Sequence, residues 1–158
     1  SQEEMFATVD LALIDLYSAN TTFLKIGSTP SFIKRGKEVI PITASNLPIG
    51  ILQDIDVDLV SVQLKPGDIL IMMTDGVYDA PGNVVNKEMW LKRVIQEMDA
   101  DDPQTFADEL LERVVRYQEG EIADDMTIVV AKVTRYKPEW ATFRWSGLDK
   151  LERPRVVS

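Results

Sequence analysis

Two short segments hold the residues whose types and spacing could do chemistry. Thr74-Asp75-Gly76 follows an unbroken apolar run, Ile69-Leu70-Ile71-Met72-Met73, and Asp79 stands just beyond it. Ala123-Asp124-Asp125-Met126-Thr127 precedes a second apolar run, Ile128-Val129-Val130-Ala131. Each segment puts an acid at the mouth of a strand, one at its exit and one at its start. Clustered carboxylates repel one another and are reconciled by a cation between them. The chain has no His and no Cys, so a metal site here must be built from oxygen ligands. Mg²⁺ and Mn²⁺ are hard ions that accept carboxylate and water. Held in pairs about 3.5–4 Å apart, such ions can activate water for attack on a phosphoryl group. That chemistry needs neither imidazole nor thiolate.

Each motif also has a plain structural reading. Asp75 before a glycine is a common turn acid that caps its own backbone, and Gly76 would permit a sharp turn or a close backbone approach. Asp124-Asp125 alone is a solvated acidic turn. Two such motifs, each abutting a core strand, favour a shared cation. The run Asp54-Ile55-Asp56-Val57-Asp58 superficially resembles a calcium loop. It fails that pattern, because Leu59 stands where the loop needs Gly and Lys65 where it needs the bidentate Glu. Its alternation suits a strand edge with acids facing water. A receiver domain also pairs two acids, but on alternating β-α units early in the chain. Here the acid pair comes late and the first half has no helical pattern.

Composition narrows the field further. At 158 residues, 45% hydrophobic and 27% charged, the chain reads as one ordinary globular domain. The absence of cysteine removes disulfides and thiolate nucleophiles, and the absence of histidine removes the Ser-His-Asp triad. The formal net charge of −9 argues against a general grip on nucleic acid. No apolar stretch approaches the roughly 20 residues that a membrane-spanning helix needs. The chain opens at Ser1 and runs at once into a strand-like segment, so it reads as a fragment of something longer.

The elements that must position the acids follow from pattern. Phe6 to Leu16 is a long aliphatic strand, Asp15 to Thr21 a hairpin turn, and Thr22 to Ile26 the returning strand. Gly27-Ser28-Thr29-Pro30 breaks the chain. Ser31 to Arg35 and Glu38 to Ile42 pair around Gly36-Lys37, which makes the first half an antiparallel meander. Pro41 to Asp54 is a loop. Val57 to Leu64 alternates as a strand, and Lys65-Pro66-Gly67-Asp68 is a turn. Ile69 to Met73 is a strand covered on both faces. Asn86 caps a helix over Lys87 to Met98 with Leu91, Val94, Ile95 and Met98 on one face. Asp102-Pro103 starts a second helix with the stripe Phe106, Ala107, Leu110, Leu111 and Val114. Met126 to Val133 is a final buried strand. The fold class is α+β, with helices packed on antiparallel sheets. Tyr136 to Ser158, with Trp140, Phe143 and Trp145, reads as an extension docked on a domain that covers residues 1–135.

The two motifs resemble those of the PPM family of metal-dependent serine/threonine protein phosphatases, the type 2C fold. The matching pieces are Met72-Met73-Thr74-Asp75-Gly76-Val77-Tyr78-Asp79 and Asp124-Asp125-Met126-Thr127-Ile128-Val129-Val130. Their order, with two predicted helices between them, is the specific part. Phe23-Leu24-Lys25-Ile26-Gly27-Ser28, Pro30-Ser31-Phe32-Ile33-Lys34-Arg35-Gly36, Leu47-Pro48-Ile49-Gly50-Ile51-Leu52 and Pro138-Glu139-Trp140-Ala141 make the chain most similar to the stage II sporulation protein E branch of that family.

The resemblance implies an α-β-β-α sandwich of antiparallel sheets with a two-metal centre of Mn²⁺ or Mg²⁺ at one edge. It implies that Asp75 and Asp124 hold the second metal, with Gly76 and Asp125 in support. Activated water then attacks phosphoserine directly, and no side chain acts as a nucleophile. The implied substrate is a phosphorylated anti-anti-sigma factor, whose dephosphorylation frees a sporulation sigma factor. The implied setting is the cytoplasmic side of the membrane or division septum, reached through a region outside these residues. The family's first Asp-Gly motif, which bridges both metals, has no match before Phe6. A chain without it is expected to bind metal poorly, to show little activity alone, and to carry open sheet edges that invite a homodimer. The alternatives are a stress-response phosphatase acting on another anti-anti-sigma factor, and a non-catalytic module that holds a phosphoprotein.

Overall fold

The structure is a computed structural model that describes residues 8–43, 58–117 and 124–134. Within them the chain forms two antiparallel sheets and a helix layer. Strand β1 (Val9–Ile14) pairs with β2 (Asn20–Ile26), and β2 also pairs with β5 (Asp58–Gln63). The second sheet is built from β3 (Ser31–Arg35), β4 (Glu38–Ile42), β6 (Ile69–Met73) and β7 (Ile128–Lys132), in the order β4-β3-β6-β7. Helices α1 (Asp75–Asp79), α2 (Lys87–Glu97) and α3 (Pro103–Arg116) lie between β6 and β7 in the chain.

The first half is therefore not one meander. Strands β1–β2 and β3–β4 are hairpins as expected, but they belong to different sheets. The chain changes sheet at Gly27–Pro30, where Gly27 takes a positive φ of 56° that a side chain would resist. A break of that kind looks the same in sequence whether the next strand joins the same sheet or the opposite one.

Two cores hold the layers together. Phe23, Ile33, Ile42, Leu64 and Leu70 fill the space between the sheets. Phe32, Ile71, Met73, Leu91, Ile95, Phe106, Leu110 and Val114 fill the space between the second sheet and the helices. Each fully buried side chain of this size contributes about 1.5–3 kcal/mol. The continuous apolar run of β6 is needed because one face meets each core. Between the sheets lies one buried charge pair. Lys25, 0% exposed, contacts Asp10 at 2.7 Å and donates to Ser31 Oγ at 2.9 Å. Burial pushes the Lys25 ammonium pKa down, and the hydrogen bond and charge of Asp10 oppose that shift.

The helix ends form as their sequence signals predict. Asn86 Oδ1 accepts from the Met89 N–H at 2.9 Å, and Asp102 Oδ2 accepts from the Thr105 N–H at 2.9 Å. The turn before β6 closes with the Asp68 N–H donating to the Lys65 carbonyl at 2.9 Å, and Gly67 sits at φ 94°. That is the conformation a Pro-then-Gly turn needs.

Three expectations change. Strand β7 is not buried on both faces; its residues alternate, and Val129 is 56% exposed. Among the described residues it is the edge of its sheet, next to β6 alone. The α-β-β-α order is seen in part, since among the described residues helices cover only the second sheet. On the outer face of the first sheet Leu11 and Leu59 flank Leu24 in register, and both are exposed. Finally, β1 spans Val9–Ile14, shorter than Phe6 to Leu16. The loop from Ala44 onward, the Asp54–Asp56 acids, and the 136–158 extension with its tryptophans lie outside the described residues.

Candidate metal centre

Strands β6 and β7 are antiparallel neighbours, with Met73 opposite Ile128. The exit of one is therefore the start of the other, and this pairing brings the two acidic motifs to one edge of the sandwich. The Thr74 N–H extends the ladder by donating to the Thr127 carbonyl at 3.0 Å. The Thr74 hydroxyl donates to the Asp125 carbonyl at 3.1 Å and accepts from the Thr127 N–H at 2.9 Å. Nothing in the sequence pattern singled out Thr74. A hydroxyl before an Asp-Gly pair carries no signal until its cross-strand partner is known.

Asp75 opens the one-turn helix α1, which the sequence showed only as a turn. Its residues are too few to produce a helical period. Gly76 has no positive φ, so a sharp turn is not its role. A Cβ at Gly76 would fall well inside contact distance of the Asp125 carbonyl oxygen. Close approach of the two motifs is what requires glycine there.

The two carboxylates are held alike. Asp75 Oδ1 accepts from the Gly76 N–H at 3.0 Å, and Asp124 Oδ1 accepts from the Asp125 N–H at 2.8 Å. Both side chains are exposed, and among the described residues neither has a Lys or Arg partner within ion-pair distance. Each thus commits one oxygen to its own backbone and keeps the other for a ligand. Asp79 is different: it pairs with Lys87 and ties α1 to the first turn of α2.

Carboxylate oxygens are the donor type that a hard divalent cation takes, and two of them on one ion would leave the rest of its shell to water or further oxygens. Among the described residues no group of three or more acids forms a fuller cage. The structure thus brings the loop of Asp75 and Gly76 against the loop of Asp124 and Asp125, the two meeting at Gly76 and the Asp125 carbonyl, and Asp125 takes part through its backbone.

The model of the stage II sporulation protein E family matches residues 1–134. Stage II sporulation protein E of Priestia megaterium is 55% identical over 142 residues, which cover 90% of this chain and 24% of that protein. Its counterpart in Bacillus subtilis strain 168 is 51% identical over 140 residues, covering 89% and 17%. The solved phosphatase domain of the cell fate determinant SpoIIE from Bacillus subtilis, presoaked with Mn, superposes with a TM-score of 0.74 at 48% identity. That match covers 85% of this chain and 60% of the solved one. The chain spans a quarter or less of the length of these two curated relatives.

Proposed function

The chain belongs to the stage II sporulation protein E family of type 2C serine phosphatase domains, and on that premise we propose that it is a metal-dependent protein serine phosphatase in which Asp75 and Asp124 hold one divalent cation. The observation that carries this reading is the β6–β7 pairing, which sets both carboxylates at one edge with an oxygen of each uncommitted among the described residues. A bound Mn²⁺ or Mg²⁺ supplies positive charge to a phosphoryl group and makes coordinated water more acidic. The protein's part is to hold the carboxylates. The Gly76 and Asp125 N–H groups orient them, and the missing Cβ of Gly76 lets the two loops touch. Two carboxylates leave most of an ion's shell to water, so these residues by themselves would hold Mn²⁺ weakly.

The proposed substrate is a phosphorylated anti-anti-sigma factor, with release of a sporulation sigma factor as the consequence. The name of the similar Priestia megaterium and Bacillus subtilis proteins supports a role in sporulation. Residues 1–135 would form the phosphatase portion and 136–158 an extension. No helix among the described residues is long and apolar enough to cross a membrane; placement at the cytoplasmic side of the membrane or division septum is part of the proposal. The test is Mn²⁺-dependent release of phosphate from a phosphoserine anti-anti-sigma factor by the full-length protein. Asp75→Asn and Asp124→Asn are each expected to abolish turnover. Full activity in either variant would defeat the assignment.

A further inference from the structure

We propose that Thr74 is a positioning residue that sets Asp75 against Asp124, and that it acts through the main chain on either side of Met126. This rests on the metal reading above and adds to it a residue that contacts no ligand. The side chain is doubly engaged. Its hydroxyl donates to the Asp125 carbonyl at 3.1 Å and accepts the Thr127 N–H at 2.9 Å. Its own N–H donates to the Thr127 carbonyl at 3.0 Å. One residue thus fixes the backbone at 125 and at 127, and Asp124 follows from the first of these.

The neighbour on the other side of Asp75 leans on the same atom. The missing Cβ of Gly76 faces the Asp125 carbonyl oxygen. Asp75 is therefore flanked by two residues that both register against that one oxygen, one by a hydrogen bond and one by close approach. Asp125 acts through its main chain, its carbonyl meeting Thr74 and Gly76 and its N–H holding Asp124. A metal shell tolerates little displacement of its ligands, and loss of a group that orients them typically costs about 10–100-fold in metal affinity.

Exposure separates this role from a structural one. Thr74 is exposed, so water can replace the bonds lost when its hydroxyl is removed. Folding stability should hardly change, while the relation between the loops loosens.

The experiment titrates Mn²⁺ into the full-length protein, with free ion followed by electron paramagnetic resonance and unfolding followed by thermal melting. Thr74→Val is expected to weaken Mn²⁺ binding roughly 10–100-fold with an unchanged melting temperature. Thr74→Ser keeps the hydroxyl and is expected to restore binding. Asp125→Asn keeps the carbonyl and is expected to weaken binding less than Thr74→Val does. Wild-type affinity in Thr74→Val, or equal losses in the Val and Ser variants, would overturn the proposal. Asp75→Asn serves as the reference. If it too binds Mn²⁺ as the wild type does, the metal assignment fails and takes the proposal with it. If Asp75→Asn loses binding and Thr74→Val does not, the positioning role alone is wrong.

Discussion

Strand β6 has an aspartate near each end. Asp68 precedes Ile69, and Asp75 follows Met73 by two positions. Asp68 is 1% exposed, and Arg35 grips it with two hydrogen bonds, Nε to Oδ1 at 2.9 Å and Nη2 to Oδ2 at 2.7 Å. The Lys65 N–H donates to it at 2.8 Å. Asp75 is exposed and, among the described residues, has only the Gly76 N–H. Both ends are tied to β7, through Gly67 and Asp68 to Val133 at one end and Thr74 to Thr127 at the other. The strand ladder treats the two ends alike, and the side chains differ. Asp68 has its cation within the fold; Asp75, among the described residues, has none, and the proposed metal would supply it.

The widest separation should come from activity. Asp75→Asn is expected to remove Mn²⁺-dependent phosphatase turnover while leaving thermal stability near the wild-type value. A large fall in melting temperature in that variant would show that Asp75 is structural and would erase the contrast.

The converse substitution should be a stability effect. Asp68→Ala leaves the Arg35 guanidinium facing a buried gap and should cost about 3 kcal/mol, measured by denaturant unfolding. Its Mn²⁺ dependence should follow the wild type. The same contrast predicts a pH profile. Burial raises the Asp68 pKa, but the Arg35 and Lys65 hydrogen bonds and charges outweigh it and hold the carboxyl below its ordinary value. A depressed folded pKa means that the stabilisation is complete above the unfolded value, about 3.9. It is lost as pH falls through the folded one. Wild-type protein should lose stability more steeply than Asp68→Asn on acidification below about pH 4; parallel curves would count against the pair.

The smallest effect should come from Asp79, the other acid of α1. Its pair with Lys87 is largely exposed, and Asp79→Asn should cost less than about 1 kcal/mol. A loss as large as that of Asp68→Ala would place Asp79 in the architecture instead.

Much of this was legible in the sequence. The caps at Asn86 and Asp102, the Gly36 and Gly67 turns and the helical faces are local, because the groups that satisfy one another lie within a few residues. The acids Asp75 and Asp124 were legible as well, since each interrupts an apolar run. Thr74 was not, because its partners Asp125 and Thr127 are far away in the chain. Helix α1 was too short for a period, and the edge position of β7 depends on which strands lie beside and behind it.

By itself, then, the sequence determined the strands and the two longer helices, the absence of imidazole and thiolate chemistry, and the two acids. Propensity, capping and composition act over a turn or two of chain and need no neighbour. Only the tertiary structure decided that β2 and β3 part into different sheets, and that Asp68 is matched to Arg35 while Asp75 is left open. It also decided that Thr74 and Gly76 meet one carbonyl oxygen across the β6–β7 edge. Those outcomes depend on which strands pair and in what register, and pairing is settled by packing between segments that the chain keeps far apart.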